Sequence, residues 1–252
     1  MIHRNVKVRR LNLNGETTQI DDVVAMDAPL CIFINDQPFR TLIASPNMPE
    51  ELALGHLLTE GVITSIHDIE TLQLKPLRVD ITLRYEINID EILLGKSRLI
   101  TTACGLDQVP ENELEKLRVP RVEKIDPHLV SGLIKSLNEK SQTFRETGGT
   151  HSALLYSTEK GEVAFSEDVG RHNALDKVIG SALKAETDFS KCILASSGRL
   201  SGEMVLKAAR AGIPILCSVS APLLSGLRLA DVTGVTLVGF VRGKKINQYL
   251  HS

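Results

Sequence analysis

The 252-residue chain has no run approaching the roughly 20 uninterrupted apolar residues that cross a bilayer. The charged start, residues 1–10, lacks the apolar segment of a secretory signal. A cytoplasmic protein with no membrane partner is therefore expected. The four cysteines, Cys31, Cys104, Cys192 and Cys217, are far apart and form no CxxC pair, which argues against a disulfide scaffold or a zinc finger. Net formal charge is −2, so there is no basic surplus for neutralising phosphates, and nucleic acid is not an expected partner. Internal repeats and low-complexity runs are missing too. What is present is an ordinary globular composition, 42% hydrophobic and 24% charged, in a chain long enough for two domains.

Residues 79–89 alternate between apolar and polar, the period-two pattern of a half-buried strand. Apolar runs 30–34 and 39–43 flank the turn-forming Asn35-Asp36-Gln37-Pro38 and predict a hairpin. Pro49, followed by Glu50 and Glu51, opens a helix that Gly61 closes. These elements predict a small, mainly antiparallel β domain with one helix over 1–115, ending in the Cys104 loop. The charged stretch 111–124, bordered by Pro110 and Pro120, reads as a linker. Over 116–252 a helix (130–137), a hairpin (152–156 with 162–166) and a helix (173–183) precede alternating strands and helices: 192–195, 201–211, 215–219, 222–229 and 235–241. Such alternation implies parallel pairing with right-handed crossovers. The fold class is α/β, or α+β over the whole chain.

Ligands of open α/β sheets gather beyond the carboxyl ends of the parallel strands. Three junctions share that edge: 196–201 (SSGRLS), 218–222 (SVSAP) and 240–245 (FVRGKK). Small residues expose backbone N–H groups there, hydroxyls add donors, and Arg199, Arg242, Lys244 and Lys245 add positive charge, so a phosphate or pyrophosphate would suit. Serine and glycine also serve as caps and turns, and the convergence of three junctions is what favours a site. Thr147-Gly148-Gly149-Thr150-His151 adds an imidazole beside a flexible backbone. Residues 167–177, EDVGRHNALDK, carry six ionisable side chains where a strand gives way to a helix; a solvated helix start capped by Asn173 would look similar. Cys31, Cys192 and Cys217 lie in apolar strand runs and read as buried thiols. Cys104, in the small-residue stretch Thr101-Thr102-Ala103-Cys104-Gly105-Leu106, is open to thiolate chemistry.

The order of these segments resembles the formate dehydrogenase accessory sulfurtransferase family (FdhD/NarQ). Residues 167–177 carry the likeness most specifically. It extends to 50–55 (EELALG), 58–61 (LTEG), 147–151 (TGGTH), 197–201 (SGRLS) and 208–214 (AARAGIP), and covers the chain from about Ala28 onward. The resemblance implies a homodimeric sulfur carrier. A cysteine desulfurase would load it with sulfur as a persulfide on Cys104. That sulfur would pass to molybdenum bis(molybdopterin guanine dinucleotide), bound as a substrate, for a formate dehydrogenase client. It implies cofactor contacts at Phe240, Val241, Arg242, Gly243, Lys244 and Lys245, no tightly held metal, and a three-layer α/β domain resembling the cytidine deaminase fold.

One position departs from the family pattern. Where a second cysteine usually follows three residues after the first, this chain has Asp107, which rules out an internal CxxC disulfide or a two-cysteine relay. A single thiolate still suffices to accept and release sulfane sulfur. If close, Asp107 would raise the Cys104 pKa by like-charge repulsion. The alternative is a non-catalytic chaperone for the same cofactor. A zinc hydrolase of the deaminase type would need an H-x-E or C-x-E pair and P-C-x-x-C, and the sequence has neither.

Overall fold

A computed structural model describes residues 2–89, 92, 114–243 and 245–250. Strands β1 (His3–Leu11) and β2 (Thr17–Ala25) form a two-stranded antiparallel ribbon that the sequence pattern did not announce. A four-stranded sheet follows, in the order β4-β3-β6-β5, from β3 (Ala28–Ile34), β4 (Gln37–Ala44), β5 (Ile69–Lys75) and β6 (Arg78–Leu83). The expected hairpin is β3–β4: Asn35 and Asp36 take φ of 48° and 64°, which suits a tight turn between right-twisted strands. Helix α1 (Pro49–Thr59) starts at Pro49 as its sequence suggests.

The strand expected over 79–89 stops at Leu83. At that point Asn35 takes over from the ladder, accepting the Leu83 N–H on Oδ1 at 2.8 Å and donating Nδ2 to the Tyr85 carbonyl at 3.1 Å. The Tyr85 hydroxyl then donates to the Val62 carbonyl, drawing the chain away from the sheet.

The larger sheet runs β12-β11-β10-β9-β7-β8, from β7 (His151–Ser157), β8 (Gly161–Asp168), β9 (Cys192–Ser196), β10 (Ile215–Ser218), β11 (Thr236–Arg242) and β12 (Lys245–Tyr249). The three central strands β9, β10 and β11 are parallel, as expected, while antiparallel strands extend the sheet at both edges. Helix α2 (Pro127–Lys140) covers one face through Val130, Leu133, Ile134 and Leu137. A short helix α3 (Gln142–Thr147) follows it. Helices α4 (Arg171–Lys184), α5 (Gly202–Arg210) and α6 (Leu224–Thr233) belong to the core on the other face. Covered on both sides, β9 is buried at every residue, hence its unbroken apolar run.

Three local expectations are corrected. The stretch read as a linker is packed where it is described: Leu114 and Val119 are buried, and the Val119 N–H donates to the Thr233 carbonyl. Helix α4 begins at Arg171 with Gly170 at its cap, because the Asn173 amide is committed elsewhere, to the Ile43 carbonyl and the Asp168 carboxylate. The third junction turns back into β12 instead of feeding a helix.

One core runs from the larger sheet through α4 and α1 into the four-stranded sheet, from Leu194 and Leu216 to Ile32 and Val79. Helix α1 crosses α4 at glycines. A Cβ on Gly55 would stand 1.8 Å from the Asp176 carbonyl oxygen, and one on Gly180 would stand 1.9 Å from that of Glu51. Gly180→Ala is therefore expected to lose about 3 kcal/mol or more in urea unfolding, as overpacking outweighs helix propensity. Gly132→Ala, in α2 with nothing within 4 Å of the added methyl, should instead gain about 0.5–1 kcal/mol. Equal effects at the two positions would contradict the close crossing.

Candidate functional site

Antiparallel β7 and β8 bring their residues to the same edge at which β9, β10 and β11 end. His151 opens β7 and is paired with Asp168, which closes β8. Ser196 and Ser218 are in register at the ends of β9 and β10. The clusters 147–151, 167–172, 196–201, 218–222 and 240–243 thus line one edge, which the strand pattern suggested for the last three.

The serines are not the ligand donors that the sequence suggested. Ser218 Oγ donates to the Gly198 carbonyl at 2.6 Å and Ser220 Oγ to the Ser197 carbonyl at 3.0 Å, while Ser196 Oγ accepts the Gly198 N–H. They tie the junctions together. Ser197 Oγ accepts the Ser152 N–H at 2.9 Å and lies 3.2 Å from His151 Nδ1. Either partner of that contact can donate, because the hydroxyl keeps a second lone pair after accepting the Ser152 N–H. Burial pushes the His151 pKa down, and Arg171, His172 and Arg199 push it further than Asp168 pulls it back. A neutral imidazole thus stands in a cationic setting.

Arg171 holds an unanswered donor at this edge. Its stem lies against Gly198, where an added Cβ would come within 3.0 Å of it, and its Nε is buried with no hydrogen-bond partner among the described residues. An orphaned guanidinium donor near His151 suits an incoming oxyanion.

Most of the other charges in the 167–177 motif are engaged inside the protein. Glu167 accepts the N–H groups of Thr143 and Phe144 at the start of α3 and the Thr150 hydroxyl. Asp168, fully buried, accepts Ser45 N, Gly170 N, Asn173 Nδ2 and Lys177 Nζ, the last at 2.5 Å. Asp176 meets Lys207 Nζ at 2.8 Å, the Thr59 hydroxyl at 2.8 Å and His56 Nδ1 at 3.2 Å. His172 Nε2 stands 2.9 Å from Glu203. The alternative of a solvated helix start gives way to a buried polar network. Its partners Ser45, His56 and Lys207 were not singled out from sequence, since no local pattern reports contacts made 31 to 123 residues away.

At the C-terminal segment, Phe240 sits in a bulge of β11 with φ of 51° and remains 39% exposed. The Arg242 guanidinium carbon is 5.9 Å from its ring centroid, and Arg242 Nε donates to the Val219 carbonyl. Val241 points the other way, buried in the core beneath α2, so its side chain is not on the ligand edge. Gly243 and Lys245 are exposed. Cys104, Gly105, Asp107 and Lys244 lie outside the described residues.

Residues 25–252 match the model of the FdhD/NarQ family. The chain belongs to this family. It is 35% identical to the sulfur carrier protein FdhD of Saccharolobus solfataricus over 98% of both chains. To the protein of that name from Bacillus pumilus it is 36% identical, over 94% of this chain and 92% of the other. A crystal structure of a candidate formate dehydrogenase accessory protein from Desulfotalea psychrophila superposes with a TM-score of 0.79 at 27% identity, covering 98% of this chain and 96% of that one. Among the described residues of this FdhD/NarQ member, no helix is long and apolar enough to cross a membrane.

The network gives the protein a pH signature. Burial pushes His56 below its ordinary 6.5, more than the Asp176 hydrogen bond raises it, and His151 is lowered as well. The unfolded chain then binds more protons, so the stability held by these neutral imidazoles is complete above pH 6.5 and lost as pH falls towards their folded values. Burial raises the Asp176 carboxyl, but Lys207 and His56 together hold it below 3.8, so its contribution persists until more acid conditions. The urea midpoint is expected to drop between about pH 7 and pH 5, and a His56→Asn/His151→Asn variant should flatten that slope. A midpoint rising over the interval would mean that both rings are charged in the folded protein.

Proposed function

We propose that this protein is a sulfur carrier that accepts sulfur from a cysteine desulfurase as a persulfide on Cys104 and passes it to molybdenum bis(molybdopterin guanine dinucleotide), bound as its substrate. The observation that carries this reading is identity of about 35%, over nearly the full length of both chains, to proteins named sulfur carriers. In loading, the Cys104 thiolate attacks the outer sulfur of the donor persulfide; that S–S bond breaks, and the donor cysteine leaves as a thiolate. A formate dehydrogenase is the client, and the carrier works as a homodimer in the cytoplasm.

Two features of the chain support the assignment of roles. Burial pushes the Cys192 thiol up to about 11 and the Cys217 thiol up to about 12, so neither supplies a thiolate near neutral pH. The sheet edge, with the orphaned Arg171 Nε, Arg199 and Arg242 for phosphate and the bulged Phe240 as a stacking platform for a purine, suits a guanine nucleotide.

Peptide mass spectrometry after incubation with a cysteine desulfurase and cysteine should find one added sulfur on Cys104, removed by a thiol reductant. Cys104→Ala should bind guanosine diphosphate normally yet fail to activate formate dehydrogenase; full activation would leave only a cofactor chaperone. Arg242→Ala is expected to weaken guanosine diphosphate about tenfold, as loss of a charge-assisted hydrogen bond does. Unchanged affinity would move the nucleotide away from this edge.

A further inference from the structure

A separate cavity of about 320 Å³ lies between β4, α1, α4 and α5. The first turn of α4 divides it from the sheet edge: Arg171 leans on Gly198, whereas His172 lines the cavity. The acidic groups in its walls are answered locally. Lys207 lies 2.8 Å from Asp176 and 3.7 Å from Glu60, and His172 faces Glu203.

Two cations remain. Arg40 makes no hydrogen bond or ion pair among the described residues, its guanidinium carbon resting 5.9 Å from the Phe39 ring centroid. Arg210 donates Nη1 to the Thr59 carbonyl at 2.9 Å and has no carboxylate within 4.0 Å among the described residues. Burial pushes its guanidinium pKa down, more than Glu60 restores it, so this cation is partly desolvated without an ion-pair partner.

We infer that the cavity binds a small organic oxyanion, a carboxylate or a phosphate monoester, held by Arg40 and Arg210. Each guanidinium presents a planar fork of donors that matches such oxygens, and a partly desolvated one gains most from an anion. The volume lies in the range of small-molecule sites, which leaves room for an organic body, and Leu42 and Leu206 supply apolar wall for it. The site is independent of the nucleotide edge, so it stands or falls separately from the sulfur-carrier reading.

Thermal unfolding and titration calorimetry with glycerol 3-phosphate and with propionate, each against chloride at matched ionic strength, test this. At ten times its dissociation constant, the bound anion raises the folded-to-unfolded ratio about elevenfold by mass action. Arg40→Gln breaks no hydrogen bond to the described residues, so it should leave the anion-free transition in place while weakening binding about tenfold or more. Arg242→Ala should leave binding as it is. Whichever anion acts assigns the phosphate or the carboxylate class. Stabilisation by neither anion overturns the inference, as does an effect that survives Arg40→Gln. An effect lost in Arg242→Ala places the anion at the sheet edge and overturns it equally.

Discussion

The backbone contact between α1 and α4 is the constraint on which the architecture rests. Gly55 and Gly180 let the two helices approach until a single methyl group would collide with a carbonyl. That approach brings His56 and Thr59 onto Asp176, a carboxylate buried as deeply as the core leucines around it. Lys207 of α5 completes the network. The close crossing is thus also an electrostatic junction, made by four side chains on three helices. A wider crossing would strip the buried Asp176–Lys207 pair of its His56 and Thr59 partners, so packing and polar pairing enforce the same geometry.

Magnitudes decide which ionic contacts matter. The exposed Lys191–Glu159 pair is screened by solvent, and its loss would hardly register. The Asp168–Lys177 pair has no exposure on either partner, and removing one member of such a pair costs about 3–5 kcal/mol because the other is left buried and charged. Lys177 also donates to the Ser45 carbonyl and Asn47 Oδ1, so this pair fixes the chain segment between β4 and α1 against the end of β8. Glu167 does the same for the start of α3. Consecutive acids at the end of one strand thus hold elements on different sides of the sheet edge, and the edge is rigid because its charges are spent on scaffolding.

The parts of the fold legible in sequence were those governed by local periodicity. Helix α2 showed its buried stripe, and β9, β10 and β11 showed apolar runs because helices cover both their faces. Local turn chemistry revealed the Asn35-Asp36 hairpin. What escaped were features decided at a distance. The end of β6 depends on the Asn35 side chain reaching Leu83 and Tyr85, and the start of α4 depends on an Asn173 amide drawn to Ile43. The β1–β2 ribbon has a mostly exposed, polar sequence with little core-facing signal. Density of charge located the 167–177 cluster but could not show its burial, since a buried network and a solvated helix start share one composition. The cysteines were easier. Cys192 and Cys217 sit in apolar strand runs and are buried, while Cys31, half-buried, accepts a long contact from Thr41 Oγ1.

The economy of donors at the sheet edge narrows what it can recognise. The Ser218 and Ser220 hydroxyls are bonded to neighbouring carbonyls, so the groups left for a ligand are guanidiniums, the neutral His151, the ring of Phe240 and the Ser201 hydroxyl, which has no partner among the described residues. A left-handed backbone at a bulky residue costs on the order of 1–3 kcal/mol and persists only where the surroundings impose it. Here Gly239 imposes it: a Cβ there would press on Tyr249 and Pro222, so the glycine lets β11 close against its neighbours, and the Phe240 N–H is fixed to the Ser220 carbonyl. An unstrained strand would continue its alternation through Phe240; the bulge instead turns an aromatic face outward beside Arg242. Stability spent in that way, at the edge where every loop converges, is better explained by a planar ligand than by packing, because the ring remains exposed and contributes little to the core.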